Sequence, residues 1–82
     1  MPGCSETGED VLDLRGLLCP IPVIRTGERV GRLAPGTLLR LECTDPGVRE
    51  DLPIWARMHG HGIEAVEEAE GLIVVLLRVG GG

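Results

Sequence analysis

The chain has 82 residues, 43% of them hydrophobic, with three cysteines, one tryptophan and a net charge of −5. That length makes one small domain, burying about 60–65% of its unfolded surface and able to hold a single core without staples. The acidic balance argues against autonomous nucleic-acid binding, which needs a basic footprint, and no apolar run approaches the ~20 residues that cross a bilayer.

Residues 1–9 contain Gly3, Ser5, Thr7, Gly8 and two acids, with nothing to bury, and are expected to form a loose N-terminal tail that includes Cys4. No apolar signal-peptide core follows Met1. An odd cysteine count without framework spacing speaks against disulfides and for a reducing, cytoplasmic setting. Residues 10–79 read as the single domain and 80–82 as a glycine tail. Val11-Leu12-Asp13-Leu14 alternates, which predicts a short first strand. Next, Arg15-Gly16-Leu17-Leu18-Cys19-Pro20-Ile21-Pro22 sets a lone thiol between a glycine turn and a proline-opened helix. Proline is tolerated in a first helical turn because the N–H groups lost there have no intrahelical partner. Cys19 therefore reads as the N-cap, Pro20 as the first helical residue and Pro22 as a second stiffener. The amides of Ile21, Val23 and Ile24, with the helix dipole, are expected to favour thiolate and to lower the Cys19 pKa below ~8.5. No second cysteine follows at dithiol spacing. Leu17 and Leu18 either tuck beneath the helix or present an apolar edge beside the thiol.

The first helix is predicted over about Pro20–Leu33, with Val23, Ile24, Gly27, Val30, Leu33 and Ala34 toward the core. Gly27 on that face suggests close approach to a sheet. Thr37–Thr44 reads as a second strand, with Leu39, Leu41 and Cys43 inward. Asp45-Pro46-Gly47 turns the chain. Pro53 must lie in a first helical turn, so the second helix is expected from Asp51 to about His59, with Leu52, Trp55, Ala56 and His59 inward. Ile63–Ala69 and Leu72–Val79 are two further strands around a turn at Glu70-Gly71. The last is apolar at nearly every position, the mark of burial on both sides or of a central place. The order βαβαββ with right-handed crossovers predicts a two-layer α+β sandwich: a mixed four-stranded sheet, order 1-2-4-3, with both helices on one face.

In that layout both helices start at the carboxyl ends of parallel strands, where α/β sites form. Cys19, Cys43 and Asp45 then share one rim, while His59 and His61 fall ~12 Å or more away at 1.5 Å per helical residue. A Cys-His dyad is therefore not expected, and neither is a metal site. Cys43 reads as a small buried hydrophobe, with a resolving thiol as the lesser alternative. Asp13, Arg15 and Asp45 either scaffold the thiol loop or help to set its charge, and Gly16 supplies its turn.

The run Asp13-Leu14-Arg15-Gly16-Leu17-Leu18-Cys19-Pro20-Ile21-Pro22 resembles the Cys-Pro-x-Pro signature of the TusA/SirA family of small sulfur carriers. The likeness continues through Leu33-Ala34-Pro35-Gly36, Thr44-Asp45-Pro46, Asp51-Leu52-Pro53 and Gly60-His61. The resemblance implies the same sandwich fold. It also implies that Cys19 takes sulfur as a persulfide from a cysteine desulfurase or rhodanese-type donor and relays it to an acceptor protein. Family destinations include tRNA 2-thiouridine formation, molybdenum cofactor assembly and sulfur oxidation. No separate cofactor is expected, and no direct nucleic-acid or membrane partner. Such a relay component is a covalent carrier more than a free-standing enzyme. Two alternatives stand beside it: a thiocarboxylate carrier using Gly80-Gly81-Gly82, which needs a β-grasp fold, and a non-catalytic RNA-binding or regulatory module.

Overall fold

The structure, a computed structural model, describes residues 9–80. The elements are β1 (Glu9–Leu14), α1 (Ile21–Val30), β2 (Leu38–Cys43), α2 (Val48–Met58), β3 (Gly62–Ala69) and β4 (Leu72–Arg78). They form one four-stranded sheet in the order β1-β2-β4-β3, the architecture expected from the sequence. The tail expected over residues 1–9, with Cys4, lies outside the described residues except Glu9, which opens β1; Gly81 and Gly82 lie outside them too.

The crossover through α1 brings β1 and β2 together in parallel, aligning Leu14 with Cys43. β2 then pairs antiparallel with β4, with Leu41 opposite Val75, and β4 pairs antiparallel with β3. The predicted turn at Glu70-Gly71 is a two-residue hairpin with φ of 53° and 83°, the twist that matches adjoining strands. β4 therefore has neighbours on both edges, which explains its continuous apolar run. Its Ile73, Val75 and Leu77 are buried with Leu14, Leu39 and Leu41, while Leu72 and Leu76 on alternate positions are half-buried. Full burial of each such leucine or valine contributes about 1.5–3 kcal/mol.

Both helices cover this face, and both depart from their sequence reading. α1 runs over Ile21–Val30 and buries Pro22, Thr26 and Val30, an i, i+4, i+8 row. Ile24, expected inward, is 51% exposed. Thr26 enters the core because its hydroxyl donates to the Pro22 carbonyl at 2.7 Å, so no polar atom is stranded there. The bare surface of Gly27 faces Trp55 of α2 rather than the sheet: a Cβ built there would lie 3.3 Å from the indole. α2 begins at Val48, three residues before the expected Asp51, and runs through Pro53. Its start is secured from the preceding turn, with Val48 N–H donating to Asp45 O (3.1 Å) and Arg49 N–H to Pro46 O (3.1 Å). Pro53 removes a single amide bond, the one to the Arg49 carbonyl, and burial of Val48, Leu52 and Ala56 offsets that loss. An ion pair of Arg29 with Asp10 at 2.6 Å ties α1 to β1.

Among the described residues no helix is long and apolar enough to cross a membrane. The sheet order and paired helices are not those of the β-grasp fold that the thiocarboxylate alternative requires.

Candidate functional site

The thiol loop, residues 15–20, leaves β1 and is held from the residues that follow β2. Gly16 turns the chain at φ +82°, a left-handed conformation that glycine adopts without strain. Its N–H donates to Thr44 Oγ1 at 2.9 Å, and the Cys19 N–H donates to Asp45 Oδ2 at 2.7 Å. The other Asp45 oxygen accepts from the Gly47 N–H at 3.1 Å. One carboxylate thus joins the cysteine backbone to the start of α2, bringing Cys19 and Asp45 together as their common rim predicted. Asp13 and Arg15 serve the loop differently. Arg15 grips Asp13 through Nε (2.9 Å) and Nη2 (3.0 Å), and its backbone N–H adds a third bond at 3.0 Å. These bonds hold the Asp13 carboxyl down at about 2. Both side chains are exposed and satisfy each other, which makes them loop scaffolding.

Pro20, not Cys19, occupies the N-cap position of α1, and the Cys19–Pro20 peptide is cis. Pro22 is buried, so it packs into the core besides opening the helix. Of the amides expected to face the sulfur, that of Ile21 donates to Leu18 O (2.9 Å) and that of Ile24 to Pro20 O (3.1 Å). The sulfur turns instead toward α2, where a Cβ built on Gly47 would lie 3.5 Å from it and 3.6 Å from Asp45 Oδ1.

That placement reverses the expected acidity. The Cys19 thiol is pushed up to about 12, first by burial of the sulfur, then by hydrogen bonds to Asp51 and Asp45 and by their negative charges. Asp45 itself is lowered by the two backbone amides it accepts, that of Cys19 foremost. The resting site holds a neutral thiol against carboxylates. Asp51 and Thr44 were not singled out in the sequence as part of it. Asp51 reads there as a helix cap, and only a helix already running from Val48 sets it one turn beyond Gly47, on the thiol's side.

The other candidates separate cleanly. Leu17 is half-buried against the core, whereas its neighbour Leu18 is 72% exposed beside the thiol. Cys43 is fully buried in the core, its thiol pushed up to about 11 by desolvation. Trp55 packs partly buried against that core and carries His59 (centroids 4.7 Å) and His61 (5.2 Å) at the far end of α2. His61 Nδ1 accepts the Gly80 N–H at 2.9 Å. Among the described residues no three His, Cys, Asp or Glu side chains converge to hold a metal ion.

Fold and site together define a small α+β domain with one half-exposed thiol, among the described residues, at the carboxyl rim of its parallel strands. Residues 10–79 match the family model described as Sulfurtransferase TusA. The chain is 38% identical over 74 residues to the sulfur carrier protein TusA of Pseudomonas aeruginosa (strain LESB58), covering 90% of this chain and 94% of that one. A crystal structure of a SirA-like protein from Desulfitobacterium hafniense superposes with a TM-score of 0.76 at 29% identity, covering 87% of this chain and 97% of the other. Two longer relatives, in Aquifex aeolicus (strain VF5) and Bacillus subtilis (strain 168), are 36% and 38% identical, and this chain spans 34% and 38% of their lengths. The chain belongs to the TusA family of sulfur carriers.

Proposed function

We propose that Cys19 carries sulfur as a persulfide, taking it from the persulfide of a cysteine desulfurase or rhodanese-type donor and passing it to a cysteine of an acceptor protein. The observation that carries this reading is the contrast between two thiols. Cys19 sits half-exposed in a clamped loop beside the protruding Leu18, and Cys43 is sealed in the core. In loading, Cys19 Sγ forms a bond to the donor's outer sulfur while that sulfur's bond to the donor cysteine breaks. The electron pair leaves on the donor thiolate, which ends as a thiol with the proton Cys19 gave up. Delivery repeats the exchange with Cys19 as leaving group, so no oxidant or cofactor is consumed. The family's destinations, tRNA 2-thiouridine, cofactor assembly and sulfur oxidation, are the pathways in which such a cytoplasmic relay would serve.

The test is intact-mass analysis after incubation with glutathione persulfide. An increment of about 32 Da, one sulfur atom, is expected in the wild type and in a Cys4→Ser/Cys43→Ser variant, and is expected to vanish in Cys19→Ser. Stable loading of folded Cys19→Ser on Cys43 would overturn the assignment.

A further inference from the structure

A thiol held neutral is a poor nucleophile until its proton leaves, so the persulfide reading raises the question of where that proton goes. Both histidines are at the opposite end of α2. Arg15 is engaged with Asp13. Two carboxylates remain. Asp45 has each of its oxygens on a backbone amide, those of Cys19 and Gly47, which stabilises its anion and weakens it as a base. Asp51 differs: among the described residues it enters none of the ion pairs and none of the side-chain hydrogen bonds that hold Asp45.

Its placement follows from helix geometry. The Asp51 N–H donates to Gly47 O at 3.0 Å, so the two residues stand one turn apart on the same face. Helical side chains lean toward the N-terminus, which directs the Asp51 carboxylate back over Gly47, where the Cys19 sulfur lies. The charge and hydrogen-bonding reach of this carboxylate are among the causes that push the Cys19 thiol up.

We propose that Asp51 is the proton acceptor for Cys19, a catalytic residue for the sulfur transfer proposed above, while Asp45 with Thr44 positions the loop. The inference rests on that persulfide reading. As Cys19 Sγ bonds to the outer sulfur of the donor persulfide, its proton moves to Asp51. The donor's S–S bond breaks, its electron pair leaves on the donor cysteine, and that thiolate recovers the proton from Asp51. Charge and sulfur oxidation state balance across the exchange. On delivery Asp51 takes the acceptor thiol's proton and returns it to Cys19.

The experiment compares Asp51→Asn with the wild type, both on the Cys4→Ser/Cys43→Ser background, with glutathione persulfide as the probe. Single-turnover loading is followed by quenched intact mass from pH 6 to 10, and thiolate formation by ultraviolet absorbance. Asp51→Asn is expected to reach the same final loading at least about tenfold more slowly at pH 7. The deficit should close toward pH 10, where solvent removes the proton. Its thiol is expected to ionise at lower pH than the wild type's, because a neighbouring negative charge is gone. Slower transfer from a more acidic thiol is a pairing that loss of structure alone does not produce. Asp51→Glu, which keeps a base on a longer arm, is expected to recover most of the rate, and it takes over the comparison if Asp51→Asn fails to fold. Loading by Asp51→Asn as fast as wild type at pH 7, or slowed equally at every pH, would overturn the role. A wild type that takes no sulfur at all would instead remove the persulfide reading beneath it.

Discussion

The Cys19 thiol provides the sharpest quantitative expectation. With its pKa pushed from 9.0 up to about 12, the thiolate fraction at pH 9 is about one part in a thousand, against one half for an ordinary thiol of pKa 9.0. The higher basicity of the thiolate does not compensate. A thiolate of higher pKa is intrinsically more reactive, with a Brønsted slope of about 0.4–0.5, so three units return only about 15- to 30-fold of that roughly 500-fold deficit. The perturbation is Asp45→Asn, which removes one of the two carboxylate charges that raise the thiol. In a Cys4→Ser/Cys43→Ser background, ultraviolet thiolate absorbance should show Cys19 still protonated at pH 9 with Asp45 present. Its midpoint should fall when Asp45 is neutralised. The same shift has a stability consequence of definite sign. A folded-state pKa above the unfolded value means that the contribution is fully present below pH 9 and is lost as pH rises toward 12. A midpoint at or below pH 9 with both carboxylates in place would refute the reasoning, since burial and two acidic neighbours could not then be what governs this sulfur.

Pro22→Ala should cost about 2 kcal/mol in urea unfolding, because it strips buried ring methylenes worth about 0.8 kcal/mol each and loosens the unfolded chain; exposed Pro20 should contribute less. His61 is lowered by burial, and by the neighbouring His59, below its ordinary 6.5. Stability supplied by its neutral form is therefore present above pH 6.5 and lost as pH falls through the folded-state value, and His61→Gln should flatten urea midpoints measured between pH 8 and 5. Glu70 holds φ +53° without being glycine, so Glu70→Asn should stabilise the hairpin by about 0.5–1 kcal/mol, read as a higher urea midpoint.

Much of the fold was legible because the inward rows of the strands are spaced by local chain geometry. Leu39-Leu41-Cys43 alternates in sequence and is buried in the structure. The helices were less legible where neighbours intervene. Thr26 looks polar in sequence, yet it reaches the core once its hydroxyl finds the Pro22 carbonyl. Ile24 looks apolar, yet it lies on the solvent side. Pro53 appeared to mark a first turn, but a helix begun upstream, with its start tied to Asp45 and Pro46, absorbs one missing bond.

The site divides along the same line. Sequence alone singled out Cys19 as the thiol to watch, set Asp45 on the same rim, and kept the histidines away, because element order and helical rise dictate those relations whatever the side-chain details. It also carried the family resemblance in ten consecutive residues and four later segments. Tertiary structure decided the chemical state of the sulfur. The local pattern of a cysteine before a proline-opened helix argued for an activated thiolate, since residues 15–26 offer helix-terminal amides and hold no acid. The fold aims that sulfur across to a second helix, where Gly47 leaves room for it and Asp45 and Asp51 meet it. A pKa answers to every charge within a few ångströms, however distant along the chain, and these carboxylates lie 26 and 32 residues away in sequence.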